Sequence, residues 1–289
     1  MYLPNFDYYA PASIQEASGL LSQFGLRAKL MAGGTDLLAK MKDGLMEPEV
    51  VISLKNLDEL KKIEYVAGTG VVIGARITHN ELVNSDILNK KYMSVSEAAH
   101  QIAANQVRHM GTIGGNLINA VPSADLPPIF IALGAIVKLA GPDGERTLPL
   151  EELFTGVCET CCSTNEILTS VIIPDQKMTG SNYVKFGLRR SGSLAVVGVA
   201  SAVEVEGKII KDARIALGAV APTPIRALKA EAFLKGKEVS DAVLDEAGVI
   251  ASEEAKPISD MRASAEYRKN LVHVFTRRTL RKAIDNGHV

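Results

Sequence analysis

Over the first 55 residues the chain alternates short apolar runs with a helical pattern. Ser13 and Glu16 stand in capping-box relation, and Ala17, Leu20, Leu21 and Phe24 follow at helical spacing until Gly25 closes the segment. Lys29–Ala32 and Val50–Leu54 read as buried strands, with a helix predicted over Leu37–Met41 between them. This is a small α/β unit. Further on, strands are predicted at Ile63–Val66, Val71–Ile73 and Ile136–Leu139, and at Glu166–Ile173, where Pro174 ends the run. A second capping box, Thr78 with Glu81, opens a short helix, and the Ala-rich pattern of Ser94–Gln106 predicts one longer helix.

The pattern changes after Pro174. The polar stretch Asp175–Ser181 reads as a connector, which puts the domain boundary at residues 1–175 and 176–289, the first part dividing further at about 55 and 56. Beyond it lie strand patterns at Tyr183–Leu188, Ala195–Val205 and Ile209–Val220, the last two joined at Gly207-Lys208 as a hairpin. Helical pattern fills the remainder, above all Ala263–Asp285, with Leu271, Val274, Phe275 and Leu280 turned inward and the basic run Arg277–Lys282 as its solvated face. Strands followed by helices make this an α+β domain.

Length and composition narrow the choices. At roughly 150 residues per domain, 289 residues suit two domains. With no Trp and 5% aromatics the core must be aliphatic. Lys plus Arg number 32 against 33 Asp plus Glu, a balance that argues against a nucleic-acid binder. The longest apolar runs, Ile129–Val137 and Leu194–Val203, fall far short of the ~20 residues that span a bilayer, and the start at Met1 has no export pattern, so a cytoplasmic protein is expected. Cys158, Cys161 and Cys162 lie within five residues; three thiols leave a four-thiolate cluster incomplete, so they read as reduced loop cysteines.

The chemistry is first defined by what is missing. GxGxxG, the P-loop, HExxH and GxSxG do not occur, and the five histidines are scattered. Two glycine clusters remain: Ala32-Gly33-Gly34-Thr35-Asp36 after a buried strand, and Gly111-Thr112-Ile113-Gly114-Gly115-Asn116. Glycines at a helix start let a ligand approach the backbone and leave N–H groups free for an anion. Taken alone, each cluster is equally a tight capped turn.

Together the clusters carry a resemblance. Lys29-Leu30-Met31-Ala32-Gly33-Gly34-Thr35-Asp36, Thr112-Ile113-Gly114-Gly115-Asn116 and Asp125-Leu126-Pro127-Pro128 resemble the FAD-binding medium subunit of molybdenum hydroxylases, the family of xanthine dehydrogenase and aerobic carbon monoxide dehydrogenase. Gly74-Ala75-Arg76, Glu166-Ile167-Leu168, Lys185-Phe186, Ala221–Arg226 and Met261–Ser264 extend the resemblance over nearly the whole chain. It implies an α+β fold in which two α/β subdomains clasp FAD in the vanillyl-alcohol oxidase manner, followed by a C-terminal α+β domain. Lys29–Asp36 would wrap the pyrophosphate, its backbone N–H groups meeting the phosphate oxygens, and Thr112–Asn116 would meet the pyrophosphate and ribityl side as well. Asn119 and Asp125 would meet polar edges of the flavin, Leu168 would give an apolar contact, and Lys185 would lie near the isoalloxazine and favour its anionic reduced form.

No catalytic residue and no metal site is expected in this chain. The resemblance implies partners: a large subunit with the molybdenum cofactor and a small subunit with two [2Fe–2S] clusters, electrons leaving by FAD to NAD or another acceptor. Ser191-Gly192-Ser193-Leu194 departs from the family, which often has a carboxylate or amide there. The alternatives are a stand-alone FAD oxidoreductase, which needs its own base near the flavin, and a non-catalytic nucleotide-binding module.

Overall fold

A computed structural model describes residues 2–287. Met1, on which the export reading touches, and His288 lie outside them. The chain forms mixed helix and sheet in three sheet-centred layers.

The first layer is a parallel sheet of β1 (Asp7–Tyr9), β2 (Ala28–Met31) and β3 (Val50–Ser53), ordered β1-β3-β2. Its crossovers are α1 (Ile14–Phe24) and α2 (Leu37–Lys42). Val50, Ile52 and Ala28 pack on Ala17 and Leu21 of α1, so the periodic face expected of that helix is the buried one. Ser13 caps α1 by accepting from the Glu16 N–H at 3.1 Å, but the Glu16 carboxylate turns back one residue further, to the Ala12 N–H.

The second layer is an antiparallel sheet with strand order β4-β5-β10-β6-β7, formed by β4 (Ile63–Val66), β5 (Gly70–Gly74), β6 (Ile136–Gly141), β7 (Gly144–Pro149) and β10 (Ile167–Pro174). A small hairpin, β8 (Phe154–Gly156) with β9 (Glu159–Thr160), sits beside it. β10 arrives last yet occupies the centre, and this suits its almost continuously apolar sequence, buried on both faces. Covering the sheet are α3 (His79–Val83), α4 (Asp86–Lys91), α5 (Met93–His100), α6 (Asn105–Met110), α7 (Ile113–Ile118) and α8 (Leu126–Ala132). Every residue of α8 is buried. The full capping box predicted at Thr78 and Glu81 is present.

One expected element is corrected: Ser94–Gln106 is not a single helix. The chain leaves the helix after His100, Ala103 takes φ +41°, and a new helix starts at Asn105. No Gly or Pro marks the break. It is held by tertiary bonds, with Gly192 N–H donating to Ala103 O and Arg108 donating to Ile102 O.

The third layer is an antiparallel sheet of β11 (Gly180–Phe186), β12 (Val197–Glu206), β13 (Ile209–Gly218) and β14 (Ile225–Arg226) in chain order, with α9 (Leu228–Leu234), α10 (Asp241–Glu254) and α11 (Ala265–Asn286). β12 and β13 form the predicted hairpin. Strand alternation splits this sheet cleanly. Val199, Val203, Ile215 and Leu217 face the helices, whereas Ala200, Ala202 and Ala216 join the second layer's core around Phe130. Small residues on that face allow α8 to lie close against it. On α11, Val272, Phe275 and Leu280 are buried, while Arg277 and Arg281 pair with Asp245 and Asp241 on the outer side.

Candidate functional site

The first two layers face each other across a cleft of about 500 Å³, within the range of small-molecule and cofactor sites. One wall is the turn from β2 into α2. Among the described residues no hydrogen bond uses the N–H of Ala32, Gly33, Gly34, Thr35 or Asp36. The carbonyls of Gly34 and Asp36, by contrast, accept from Leu38 and Lys40 and hold the turn onto the helix. Five successive free amides, with two of the turn's carbonyls tied to the helix, are the kind of donor set an anion-binding concavity uses. Gly33 is required by closeness: a Cβ there would lie 1.9 Å from Met110 O, so the two glycine clusters touch. Gly34 adopts φ +71°, a conformation natural to glycine.

The opposite wall works differently from the expectation of a second N–H cradle. The amides of Ile113, Gly114, Gly115 and Asn116 are all taken, donating to Ile77 O, Ala75 O, Thr112 Oγ1 and Thr112 O. Gly114 serves packing, since a Cβ would come 2.7 Å from Ala75 O. What this wall offers is side chains: Asn116 Oδ1 is buried without a hydrogen-bond partner. His79, 3% exposed, stands in the same wall, and burial, with the nearby Arg108 charge, pushes its pKa down to about 4.

All the residues anticipated for the cofactor line this cleft except Ile113 and Lys185. Ile113 is wholly buried in the core. Lys185 lies one shell back, its side chain only 7% exposed, donating to Asp125 Oδ2 at 2.8 Å and to Gln101 O at 3.1 Å. Asp125 also accepts from Tyr183 Oη at 3.0 Å and itself reaches the cleft. Burial pushes the Asp125 carboxyl above its usual range against the pull of Lys185, and burial beside that carboxylate raises the Tyr183 phenol further. Asn119 is engaged too, accepting from Lys40 at 2.8 Å across the cleft. Leu168 is aimed into the cleft at an irregularity of β10, where register shifts between Leu168 and Ser170.

Several lining residues carried no sequence signal. Lys40 and His79 have no motif, and Ile102 and Ala103 belong to the unpredicted helix break. Gly192, Ser193 and Leu194, the segment that departs from the family pattern, close the cleft from the third layer. Cys158 also lines it, at φ +60°, whereas Cys161 and Cys162 are half-buried against the core and all three thiols are free. Burial raises the Cys162 pKa. Among the described residues no group of three or more His, Cys, Asp or Glu is placed to hold a metal ion.

Free amides fit a diphosphate, and the unpartnered Asn116 carbonyl oxygen fits a donor on a bound molecule. Such a cleft suits a ligand that carries a diphosphate. Residues 4–176 match the family described as FAD binding domain in molybdopterin dehydrogenase, and residues 182–283 match the CO dehydrogenase flavoprotein C-terminal domain. The chain belongs to this family of FAD-binding molybdenum hydroxylase subunits.

Among its relatives, the carbon monoxide dehydrogenase medium chain of Hydrogenophaga pseudoflava is 36% identical over 284 residues, covering 98% of both chains. The nicotine 6-hydroxylase medium subunit of Paenarthrobacter nicotinovorans is also 36% identical, over 98% of this chain and 99% of its own. In three dimensions the chain matches carbon monoxide dehydrogenase from Hydrogenophaga pseudoflava, in a form lacking the Mo-pyranopterin moiety of the molybdenum cofactor, with TM-score 0.95, 36% identity and 99% of both chains covered.

Proposed function

We propose that this chain is the electron-transfer subunit of a multi-subunit molybdenum hydroxylase dehydrogenase. A large subunit carries the molybdenum cofactor and oxidises substrate, and a small subunit relays electrons through [2Fe–2S] clusters. This chain receives them at FAD and delivers them to NAD or another acceptor. FAD supplies the redox chemistry, including the change from single electrons to a hydride. The protein's part is to bind and orient: free amides of residues 32–36 for the diphosphate, Asn116 and Asp125 for polar edges, Leu168 for an apolar face.

The observation that carries this reading is a cleft lined by successive unpartnered amides in a chain that matches the FAD-binding family along its length. Asp125 is committed to Lys185 and Tyr183, and His79 is neutral and buried. Neither therefore serves as a free base in the cleft. Lys185 acts through Asp125, so its charge reaches the cofactor as half of an ion pair. Relatives of equal identity carry names with different substrates, carbon monoxide and nicotine, which suits a chain that does not choose the substrate.

In this reading residues 1–175 are the FAD-binding domain, with subdomains about 1–55 and 56–175, and residues 176–289 are the C-terminal domain. No helix among the described residues is long and apolar enough to cross a membrane. The three free thiols suit the reducing cytoplasm as the place of work.

The test is anaerobic mixing of the FAD-loaded chain with purified partner subunits and their substrate. Flavin bleaching only when both partners are present supports the reading. Bleaching of the lone chain by a small substrate overturns it.

A further inference from the structure

His79 is a buried titratable group that the family motifs leave out. Its main chain is fixed on two sides: the His79 N–H donates to Gly111 O at 3.0 Å, and the Thr78–Glu81 capping box sets the turn that carries it. The ring is wedged against Gly111, where a Cβ would lie 3.0 Å from His79 Cδ2. Gly111 in turn touches Gly33 of the free-amide turn. Imidazole, Gly111 and free-amide turn are therefore consecutive neighbours where the two walls of the cleft meet.

Despite this burial, neither ring nitrogen meets a hydrogen-bond partner among the described residues; Nδ1 is sealed from solvent and Nε2 is not, so Nε2 is the nitrogen a ligand in the cleft can reach. A buried polar atom without a partner costs free energy unless something bound supplies one. The charged neighbour is Arg108, a cation, so nothing on this side of the wall demands a protonated ring. An unprotonated imidazole still donates through one N–H.

We propose that His79 is a further cofactor-binding residue, donating a ring N–H to the diphosphate of FAD beside the free-amide turn of residues 32–36. The inference rests on that turn being the diphosphate cradle. Arg108 would add its positive field from behind the ring without touching the ligand, and Gly111 keeps the ring from swinging away. Because donor and amides act on the same group, the loss of His79 is felt by any ligand that carries the diphosphate and by none that lacks it.

The experiment is titration of the FAD-free full chain with FAD, ADP and riboflavin, for the wild type and for His79→Leu, His79→Asn and His79→Gln. Loss of one hydrogen bond to a charged acceptor weakens FAD and ADP alike in His79→Leu, roughly ten- to a hundredfold, and leaves riboflavin unchanged. The Gln amide reproduces Nε2 and the Asn amide the sealed Nδ1, so recovery is expected in His79→Gln and not in His79→Asn. Weakening of riboflavin but not ADP, or of neither, overturns the proposal.

Nitrogen-15 imidazole spectra of the wild type keep the test open if the Leu variant does not fold. Addition of ADP shifts the His79 resonances and raises its pKa; no change overturns the proposal. A wild-type chain that takes up FAD while all His79 variants match it removes only this inference. A wild-type chain that takes up neither FAD nor ADP removes the diphosphate cradle with it.

Discussion

Replacing Gly33 by Ala adds one methyl group at the contact between the two walls of the cleft. In the native backbone that methyl would sit 1.9 Å from Met110 O and 2.6 Å from Met110 C. Ordinary contact needs roughly 3.5 Å, so one segment must retreat by about 1.5 Å. Met110 is anchored by its place at the end of α6 and by the Gly111 N–H, which donates to Val107 O. The turn at residues 32–36 has no main-chain amide bonds to lose, so it is the part that moves. Overpacking of this kind costs about 1–3 kcal/mol. If the turn is the diphosphate cradle, as proposed, most of that cost falls on binding: at 1.4 kcal/mol per factor of ten, FAD affinity drops about five- to a hundredfold.

The assay is flavin fluorescence titration of the FAD-free chain, with thermal unfolding of the same samples. Gly19→Ala is the control, because a Cβ there meets nothing within 4 Å and α1 lies away from the cleft lining. It should leave FAD binding untouched and raise stability by roughly 0.5–1 kcal/mol. A Gly33→Ala chain with wild-type affinity and an unchanged melting temperature would refute the reasoning, because the two walls would then not meet where the structure has them.

Other perturbations follow from the same geometry. Asp125→Asn strips the partner from a buried ammonium and should cost about 3–5 kcal/mol in denaturant unfolding, whereas the paired change Asp125→Leu with Lys185→Met should lose less than the sum of its parts. Thr112→Ala removes the oxygen that accepts from the Gly115 N–H and should lower stability by about 1 kcal/mol. Arg146 holds Glu166 down at about 2, below the usual 4.5. Its folded pKa is depressed, so the stabilisation is complete above about pH 4.5 and disappears as pH falls towards 2; urea midpoints of Glu166→Gln and wild type should converge over that window. His79, depressed from 6.5 to about 4, binds its proton more readily in the unfolded chain. Stability of the FAD-free chain should therefore fall as pH drops from 6.5 to 4, by up to about 3 kcal/mol, and His79→Leu should flatten that slope.

The glycine clusters were legible because closeness and an αL turn admit few other residues, and Gly33 and Gly34 stand where those needs arise. Strands β3 and β10 were legible because burial on both faces leaves a continuous apolar run. β7 escaped because its Gly144–Pro149 sequence is mostly exposed and polar, its pairing supplied by β6. The break at Ala103 was invisible because one of the bonds that hold it comes from Gly192, far along the chain. At the site, local sequence marked which segments line the cleft but not how they are bonded. The occupied amides of Ile113–Asn116 depend on Ala75 and Ile77, and the burial of Lys185 depends on Asp125, both long-range facts. Nothing near Lys40 or His79 in sequence announces that they face the same cleft.

The central claim is that this cleft holds FAD by the free amides of the β2–α2 turn. The most direct measurement is the visible absorption of the purified full chain after incubation with FAD and desalting, made side by side with Gly33→Ala. The account predicts flavin absorption at about one FAD per wild-type chain, and far less in the variant at equal protein concentration. A wild-type chain that emerges colourless, or a variant that keeps as much flavin as the wild type, would contradict it.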